Sequence, residues 1–184
     1  MSILERVLDR AVTRPVVIEP MRPRHIGQIM AIERDAYPRP WSATVFHDEL
    51  REARHGRRHY LVARRGRTVL GYGGIMLVAT SSGGDPGEAH ITNIAVHPDE
   101  RRSGLATRLL GALAREAIDR GCAAWTLEVR STSHGAQQLY RRFGFVPAGV
   151  RKKYYENDID AIVMWCQDIQ GAEYARRLER LLTT

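Results

Sequence analysis

The chain is poor in cysteine and has no long apolar run, and each absence excludes a class of protein. Its two cysteines, Cys122 and Cys166, lie far apart without a CxxC pair, so the sequence implies neither a disulfide framework nor a zinc cage. His55 and His59 have the i, i+4 spacing of metal ligands, but arginines surround them and no third ligand is near. No apolar run approaches the roughly 20 residues of a membrane span, and the first residues lack a signal-peptide core. We therefore expect a cytoplasmic protein that has no metal and meets no membrane.

Lysine is also scarce, although the chain is basic. It carries 28 lysine and arginine residues against 21 acidic ones, for a formal net charge of +7, and only Lys152 and Lys153 are lysine. The stretch from Arg51 to Arg67 holds seven arginines and one acid, Glu52. Such a stretch could attract nucleic acid, but it has neither a pattern of interleaved aromatics nor zinc-finger spacing. We interpret it as a solvated surface and do not expect nucleic acid as a direct ligand.

What is present is an ordinary globular composition, with 43% apolar and 27% charged residues, in a chain long enough for one domain. Amphipathic stripes predict helices at 2–13 and 171–182. We divide the chain into an N-terminal helical extension at 1–14, a domain at 15–168 and a C-terminal helical extension at 169–184. The stripes of the two terminal helices fit packing on the domain and binding of a partner equally well.

Hydrophobic periodicity predicts strands near 16–18, 60–63, 69–78, 91–96, 125–129, 145–146 and 161–165. Helices are expected to begin at Pro23 and after Ser42, Pro98 and Ser133. A long helix joins the strands at 91–96 and 125–129, which makes these two strands parallel through a right-handed crossover. The other strands are linked as hairpins. The fold class is therefore α+β, a mixed and mostly antiparallel sheet flanked by helices, with one parallel strand pair.

The most informative segment runs from Asn93 to Thr107, where a strand, a turn and a helix follow one another. Its turn reads Arg101-x-x-Gly104-x-Ala106. A helix N-terminus presents unpaired N–H groups and the positive end of the helix dipole, glycine lets the backbone approach an anion, and arginine adds charge. This is the chemistry of a pyrophosphate site, although the spacing is neither that of a Walker loop nor that of a dinucleotide fingerprint. The alternative is that Gly104 merely relieves crowding.

Two further residues carry groups that acid–base chemistry could use. Along its strand, alternation places Trp125, Leu127 and Val129 toward the core and Glu128 on the other face. Tyr140 belongs to the apolar stripe of the following helix. Taken alone, Glu128 is typical of a solvated strand residue, and Tyr140 is typical of a core tyrosine.

The turn at 101–106 resembles the acetyl-CoA motif Q/R-x-x-G-x-G/A of the GCN5-related N-acetyltransferases, the GNAT superfamily. The resemblance implies the GNAT fold, with the parallel strands at the cofactor cleft and acetyl-CoA as co-substrate. The turn would hold the pyrophosphate of coenzyme A, and backbone groups of the preceding strand would hold the pantetheine arm and bond the thioester carbonyl as an oxyanion hole. The residues so implied are Ile94, Ala95, Val96, Arg101, Arg102, Ser103, Gly104, Leu105, Ala106, Thr107 and Ser133. The family usually has asparagine where this chain has Ser133, a shorter and weaker contact.

The stretches LEVR at 127–130 and LYRRFGF at 139–145 are similar to those of the bacterial ribosomal-protein-alanine N-acetyltransferases, and the spacing from Glu128 to Tyr140 is kept. The resemblance implies direct transfer with Glu128 as general base and Tyr140 as general acid. An amine attacks only when it is neutral, so a carboxylate must take its proton. An α-amino group, with a pKa of about 7.7–8.0, loses that proton more easily than lysine, with a pKa of about 10.4.

The acceptor side carries a third set of matches. Trp41, between Pro40 and Ser42, matches the family's loop between its first two helices. Tyr154 and Tyr155 resemble the hairpin of protein N-terminal acetyltransferases, where paired tyrosines clasp the first residues of a peptide. As neighbours in a strand, the two tyrosines would point to opposite faces. The resemblance covers residues 16–166 and implies a protein N-terminus as acceptor, with alanine of a ribosomal protein as our expectation.

Two other functions stay open at this point. The acceptor could be a small amine such as a polyamine or an aminoglycoside, although an acidic pocket would suit a polycation better than two tyrosines. The chain could instead be an RNA- or ribosome-binding module with a relic acetyltransferase site. The arginine stretch and the departure at Ser133 motivate that alternative.

Overall fold

The computed structural model describes residues 14–78 and 87–183. These residues form the strands β1 (Val16–Pro20), β2 (Arg58–Arg65), β3 (Thr68–Val78), β4 (Glu88–Val96), β5 (Ala124–Arg130), β6 (Val146–Arg151) and β7 (Ala161–Cys166). They also form the helices α1 (Ile26–Ala36), α2 (Ala43–Arg54), α3 (Leu105–Asp119), α4 (His134–Arg142) and α5 (Ala172–Leu182). Short 3₁₀ turns at Pro23–His25 and Pro98–Glu100 precede α1 and α3. The helix predicted at 2–13 lies outside the described residues.

The strands belong to one sheet in the order β1-β2-β3-β4-β5-β7-β6. Neighbouring strands are antiparallel except β4 and β5, which are parallel. The helix α3 connects these two strands, and a crossover of this kind returns the chain in the same direction. The predicted fold class, a mixed and mostly antiparallel sheet with one parallel pair flanked by helices, is confirmed.

The strands β4 and β5 separate soon after they meet. Their pairing covers Glu88–His90 on β4 and Ala124–Thr126 on β5. Directly afterwards β4 contains a bulge, because the consecutive β3 residues Ile75 and Gly74 pair with Ile91 and Asn93 and leave Thr92 unopposed. A bulge bends the strand that carries it and increases its twist. A gap therefore opens between the C-terminal halves of the two strands.

The main core lies between one face of the sheet and the helices α3 and α5. The buried stripe of α3 includes Leu105, Leu109, Leu110, Leu113 and Ala117. On β5, Trp125 is fully buried, and its ring contacts the rings of Phe143, Phe145 and Tyr174. Tyr174 and Leu178 of α5 belong to the same buried cluster. Of the two possibilities for the C-terminal helix, the structure thus has it packed on the domain.

The helices α1 and α2 cover the opposite face of the sheet. Successive residues of β2 alternate between the two sides, with Leu61 and Ala63 in the main core and Tyr60 and Val62 in a second cluster with α1 and α2. The predicted capping at Ser42 is confirmed, because its Oγ accepts the N–H of the third residue of α2 at 3.3 Å. Helices on both faces leave the gap between β4 and β5 as the open part of the sheet.

One expectation about secondary structure is wrong. Tyr154 and Tyr155 do not lie in a strand but in the connection between β6 and β7. The chain leaves the extended conformation at Lys153, Asn157 and Asp158, whose φ angles are +52°, +59° and +56°. The physical reason is that this connection reverses the chain between two antiparallel strands.

The close approach of β3 to Tyr60 gives a test of the packing. A Cβ on Gly74 would lie 2.1 Å from Cε1 of the buried Tyr60 ring. We expect Gly74→Ala to lower the free energy of unfolding in a urea titration by about 2 kcal/mol, as overpacking does. Gly149→Ala is the control, because a Cβ there meets no described atom within 4 Å and should change stability by less than about 0.5 kcal/mol. Equal losses in both variants would contradict the steric explanation.

Candidate active site

The gap between β4 and β5 forms a cavity of about 420 Å³. Its walls also include parts of α1, α4, the segment after α1 and the connection between β6 and β7. The predicted site residues that line it are Trp41, Ile94, Glu128, Ser133, Tyr140, Tyr154 and Tyr155. The remaining predicted residues continue from the end of β4 into the start of α3, beyond the cavity wall: Ala95, Val96, Arg101, Arg102, Ser103, Gly104, Leu105, Ala106 and Thr107.

Glu128 lies in the cavity wall and contacts two basic side chains. Its Oε1 is 3.0 Å from Nη2 of Arg151, and its Oε2 is 3.1 Å from Nε2 of His90. The Glu128 side chain is 11% exposed. Each carboxylate oxygen has a further lone pair. The group can therefore still accept a proton from a molecule in the cavity.

His90, on β4, contacts Glu128 and a second residue of the neighbouring strand β5. Its Nδ1 lies 2.8 Å from Oγ1 of Thr126. Burial lowers the pKa of His90 from its usual 6.5, which leaves the ring neutral at pH 7 with a single N–H. Because an ionised carboxylate only accepts, that proton lies on Nε2, and the Thr126 hydroxyl donates to Nδ1. The ring therefore orients Glu128 by donating a hydrogen bond to it.

Tyr140 of α4 lines the same cavity. The residue is 6% exposed, and its ring packs edge-on against Phe145 with 5.7 Å between the centroids. Burial raises the pKa of the Tyr140 hydroxyl, so the group carries its proton at neutral pH. The arrangement offers a proton-bearing group whose position is fixed by core packing.

The edge of β4 that faces the gap offers backbone groups. The N–H of His97 donates to a carbonyl of β3, and the alternation of an antiparallel ladder makes Tyr72 and Ala95 the next hydrogen-bonded pair. The backbone groups of Ala95 therefore point toward β3. Those of Ile94 and Val96 point toward the side where β5 has diverged.

The carbonyl of Ile94 already has a donor. The hydroxyl of Tyr37, in the segment after α1, lies 2.8 Å from it. Tyr37 thus forms part of the cavity wall beside β4. The donors that β4 directs into the gap are then the N–H groups of Ile94 and Val96.

The turn after β4 has a backbone that favours glycine. Gly104 has a φ of +81°, and a Cβ on it would meet no described atom within 4 Å. Relief of crowding therefore does not explain this glycine, whereas its left-handed conformation does. The first hydrogen bond of α3 runs from the N–H of Arg108 to the carbonyl of Gly104, and the first turn has no acidic residue. The preceding N–H groups, with open space above them, fit a phosphate group.

Asn93 gives a second observation that fits a ligand. It lines the cavity, and its Nδ2 is buried without a hydrogen-bond partner among the described residues. A buried donor without an acceptor destabilises the folded chain by about 1–3 kcal/mol, so an acceptor on a bound molecule would be favourable here. Together with the turn at 101–107, Asn93 fits a ligand that combines carbonyl groups with phosphate, as coenzyme A does.

The two tyrosines between β6 and β7 differ in their surroundings. The hydroxyl of Tyr155 donates to the backbone carbonyl of Glu128 at 3.1 Å, and the Arg130 guanidinium lies 4.2 Å from the centre of the Tyr155 ring. Tyr154 is half exposed, with its ring perpendicular to that of Tyr155 at 5.1 Å. Tyr155 is thus held against β5, while Tyr154 lies at the mouth of the cavity.

Glu33 is a buried acid in the last turn of α1. It is 2% exposed, its Oε1 accepts the N–H of Trp41 at 2.9 Å, and its Oε2 accepts the hydroxyl of Tyr72. Burial raises its pKa to about 7. Glu33 also lines the cavity.

Sequence reasoning missed His90, Arg151 and Glu33. Glu33 had a signal, because it continues the apolar stripe of α1 that begins at Ile26, where an ionisable residue is unusual. The other two had none, since their contact with Glu128 depends on the register of separate strands.

Most arginines of the 51–67 stretch are in ion pairs. These pairs are Arg51–Asp48, Arg57–Glu52, Arg58–Glu49, Arg64–Glu19 and Arg65–Glu100. The acidic partners come from several elements, so the local charge is more balanced than the sequence of the stretch suggests. This observation supports the interpretation of the stretch as a solvated surface.

Two further kinds of site are absent from the described part of the chain. Within residues 14–78 and 87–183, no three His, Cys, Asp or Glu side chains come together as a metal ion requires. Over the same residues, none of the helices has both the length and the apolar composition for crossing a membrane.

The chain is similar to known acetyltransferases in sequence and in fold. The family model described as Acetyltransferase (GNAT) family matches residues 26–145. A Bacillus subtilis (strain 168) protein provisionally named a ribosomal protein bS18-alanine N-acetyltransferase is 36% identical over 146 residues, which are 79% of this chain and 91% of the relative. The N-alpha-acetyltransferase RimI of Mycobacterium tuberculosis is 36% identical over 128 residues, which are 68% of this chain and 74% of the relative. The crystal structure of the ribosomal-protein-S18-alanine N-acetyltransferase from Escherichia coli has a TM-score of 0.71 at 28% identity, covering 86% of this chain and 97% of that chain.

The raised pKa of Glu33 makes stability depend on pH. Between pH 4.5 and about 7, the folded chain keeps a proton on Glu33 that the unfolded chain releases, so the free energy of unfolding falls as pH rises. Glu33→Gln removes this effect. We measure the free energy of unfolding of the variant minus that of wild type by urea titration. We expect this difference to be about 2 kcal/mol more positive at pH 8 than at pH 5. A difference that does not change with pH would contradict the raised pKa.

Proposed function

Since the chain belongs to the acetyltransferase (GNAT) family and is an acetyl-CoA-dependent N-acetyltransferase, we propose that its acceptor is the α-amino group at the N-terminus of a ribosomal protein, with alanine as the first residue. The observation that carries this proposal is the Bacillus subtilis relative, which is similar along 91% of its own length. Such an acceptor would be met in the cytoplasm.

Acetyl-CoA supplies the activated thioester in this proposal. We assign the N–H groups of Ile94 and Val96 to its pantetheine arm and carbonyl, the turn at 101–107 to its pyrophosphate, and Ser133 to a weaker polar contact. The open space above Gly104 and the unpartnered amide of Asn93 support these assignments.

Glu128 acts as the general base in this account. Its carboxylate takes the proton of the acceptor amine, directly or through water, so that the nitrogen can attack as a neutral group. His90 and Arg151 keep the carboxylate in place by their contacts with its two oxygens. An α-ammonium group, with a pKa of about 7.7–8.0, loses its proton to such a base more readily than the ammonium group of a lysine does.

Tyr140 acts as the general acid. Its hydroxyl carries a proton at neutral pH because burial raises its pKa. A phenol with a raised pKa gives up its proton only when negative charge develops beside it. The buried position of Tyr140 supports this role, since negative charge on a departing thiolate would be poorly solvated there.

The walls of the cavity favour a peptide over a polyamine. Trp41, Tyr154 and Tyr155 give the acceptor side an aromatic surface. The lining includes Arg39 and Arg130 beside Glu33, Glu128 and Glu156, and Arg151 balances the charge of Glu128 by pairing with its carboxylate. A polycation would be better served by a wall with a surplus of acids. Most arginines of the 51–67 stretch are already in ion pairs, which makes an RNA-binding module the less favoured alternative.

Glu128→Gln tests the proposed base. We expect kcat for acetylation of a peptide with N-terminal alanine to fall by about 100-fold or more at pH 7. The residual rate should rise with pH, because a larger share of the α-amine is then neutral without a base. Steady-state kinetics between pH 6.5 and 9 measures both effects.

Glu116→Gln is a matched control for this variant. Glu116 of α3 also contacts an arginine, Arg120, and a histidine, His59, but it does not line the cavity. Its replacement should leave kcat within about twofold, as expected for a polar change remote from the site. Loss of activity in both variants, or in neither, would contradict the assignment of Glu128.

Gly104→Ala tests the proposed pyrophosphate site. The added Cβ would occupy the space above the helix N-terminus, so we expect the Kd for acetyl-CoA to rise about tenfold in calorimetry, the loss of about 1.4 kcal/mol of binding. Gly121→Ala is the control, because Gly121 has a similar φ of +77° and equally open surroundings but follows the C-terminus of α3. Both variants introduce the same backbone strain. Equal affinities of the two variants for acetyl-CoA would therefore contradict the assignment of the turn to the cofactor site.

A further inference from the structure

We propose that Glu33 is a positioning residue of the acceptor site: its buried carboxylate holds the segment at 37–42, between α1 and α2, in the place where Tyr37 and Trp41 form a wall of the cavity. The inference rests on the proposed function for the identity of the molecule that this wall contacts. It assigns to Glu33 no part in proton transfer.

First, one carboxylate connects three elements. Glu33 belongs to α1, its Oε1 accepts the backbone N–H of Trp41 at 2.9 Å, and its Oε2 accepts the hydroxyl of Tyr72 on β3. The N–H of Tyr37 donates to the backbone carbonyl of Glu33 at 3.0 Å. The same residue therefore fixes the segment near both of its ends.

Second, the contacts close into a ring. The ring of Trp41 lies 5.5 Å from that of Phe46 on α2, and Phe46 lies 5.5 Å from Tyr72 at nearly a right angle. Tyr72 and the backbone of Trp41 both donate to Glu33. Moving the segment away from the cavity would break several of these contacts together, so the carboxylate specifies one position for it.

Third, the segment faces the reacting part of the cavity. Trp41 lines the cavity, and the hydroxyl of Tyr37 donates to the carbonyl of Ile94, beside the β4 groups assigned to the thioester. A displacement of the segment would therefore change the wall that the acceptor contacts. The turn at 101–107 lies beyond this wall and would be unaffected.

Fourth, a carboxyl group that is 2% exposed on an apolar helix stripe is unfavourable unless donors are directed at it, and an aliphatic residue would be the less costly occupant. Here two donors are directed at it, one from the segment and one from β3. An acid at this position is thus explained by the segment it holds rather than by the core of α1.

The experiment compares steady-state kinetics of Glu33→Leu, Glu33→Gln and Gln28→Leu on a peptide with N-terminal alanine. Leucine fills the volume but accepts no hydrogen bond, so we expect the KM for the peptide to rise about tenfold, the upper end of what one hydrogen bond contributes. The KM for acetyl-CoA and kcat should change much less. Glu33→Gln keeps an acceptor for the N–H of Trp41 and should restore most of the peptide KM.

Gln28→Leu is the matched control on the same helix. The Gln28 side chain also accepts a backbone N–H, that of Val69 at 2.9 Å, but it does not line the cavity. Its replacement should leave the peptide KM unchanged. If Glu33→Leu leaves the peptide KM unchanged in an active enzyme, or raises the KM for acetyl-CoA equally, the positioning role is overturned while the proposed function stands.

Hydrogen exchange of the Trp41 amide gives a readout that does not depend on activity. In wild type this amide should be protected by at least about tenfold relative to an unstructured chain, and Glu33→Leu should remove that protection while the core amides keep theirs. Exchange of the wild-type Trp41 amide at the unstructured rate overturns the inference whatever the variants do. Wild type that acetylates no peptide would overturn the proposed function, and exchange would still decide the role of Glu33.

Discussion

The separation of β4 from β5 is the constraint on which the site depends. The crossover through α3 makes the two strands parallel neighbours, but they pair only over Glu88–His90 and Ala124–Thr126 before the bulge at Thr92 turns β4 away. Had the strands stayed paired, the backbone groups of Ile94 would have been used in hydrogen bonds to β5. The gap thus provides at once a cavity, a row of backbone donors and access to the side chain of Glu128.

The candidate base is distinguished by its position in the cavity wall more than by the side chains that it contacts. Among the described residues, three glutamates each contact an arginine and a histidine: Glu19 on β1, Glu116 on α3 and Glu128 on β5. Only Glu128 lines the cavity that also contains Tyr140 and the free edge of β4. Glu116 on α3 contacts the same kinds of side chain, but it does not lie beside a cavity with these partners. Glu128 is therefore the candidate for acid–base chemistry because of the cavity wall in which it lies.

Local sequence signals predicted the parts of the molecule that depend on neighbours along the chain. The long helix between β4 and β5, the cap at Ser42, the glycine-containing turn before α3 and the parallel pair all followed from periodicity and turn chemistry. The contacts of His90 with Glu128, and of Glu33 with Trp41, could not be predicted, because they depend on strand register and on the path of a connecting segment. Tyr154 and Tyr155 were misassigned to a strand because aromatic content favours strands, whereas the reversal between β6 and β7 decides their conformation.

The central claim is that the acceptor is an α-amino group, and acetyl transfer to a pair of peptides tests it most directly. Both peptides would begin with alanine and contain internal lysines, and one would have its N-terminus blocked. After reaction with acetyl-CoA, mass spectrometry should find a single acetyl group on the α-amine of the free peptide and none on the blocked one. Acetylated lysines in both peptides, or no acetylation of either while acetyl-CoA binds, would contradict the claim.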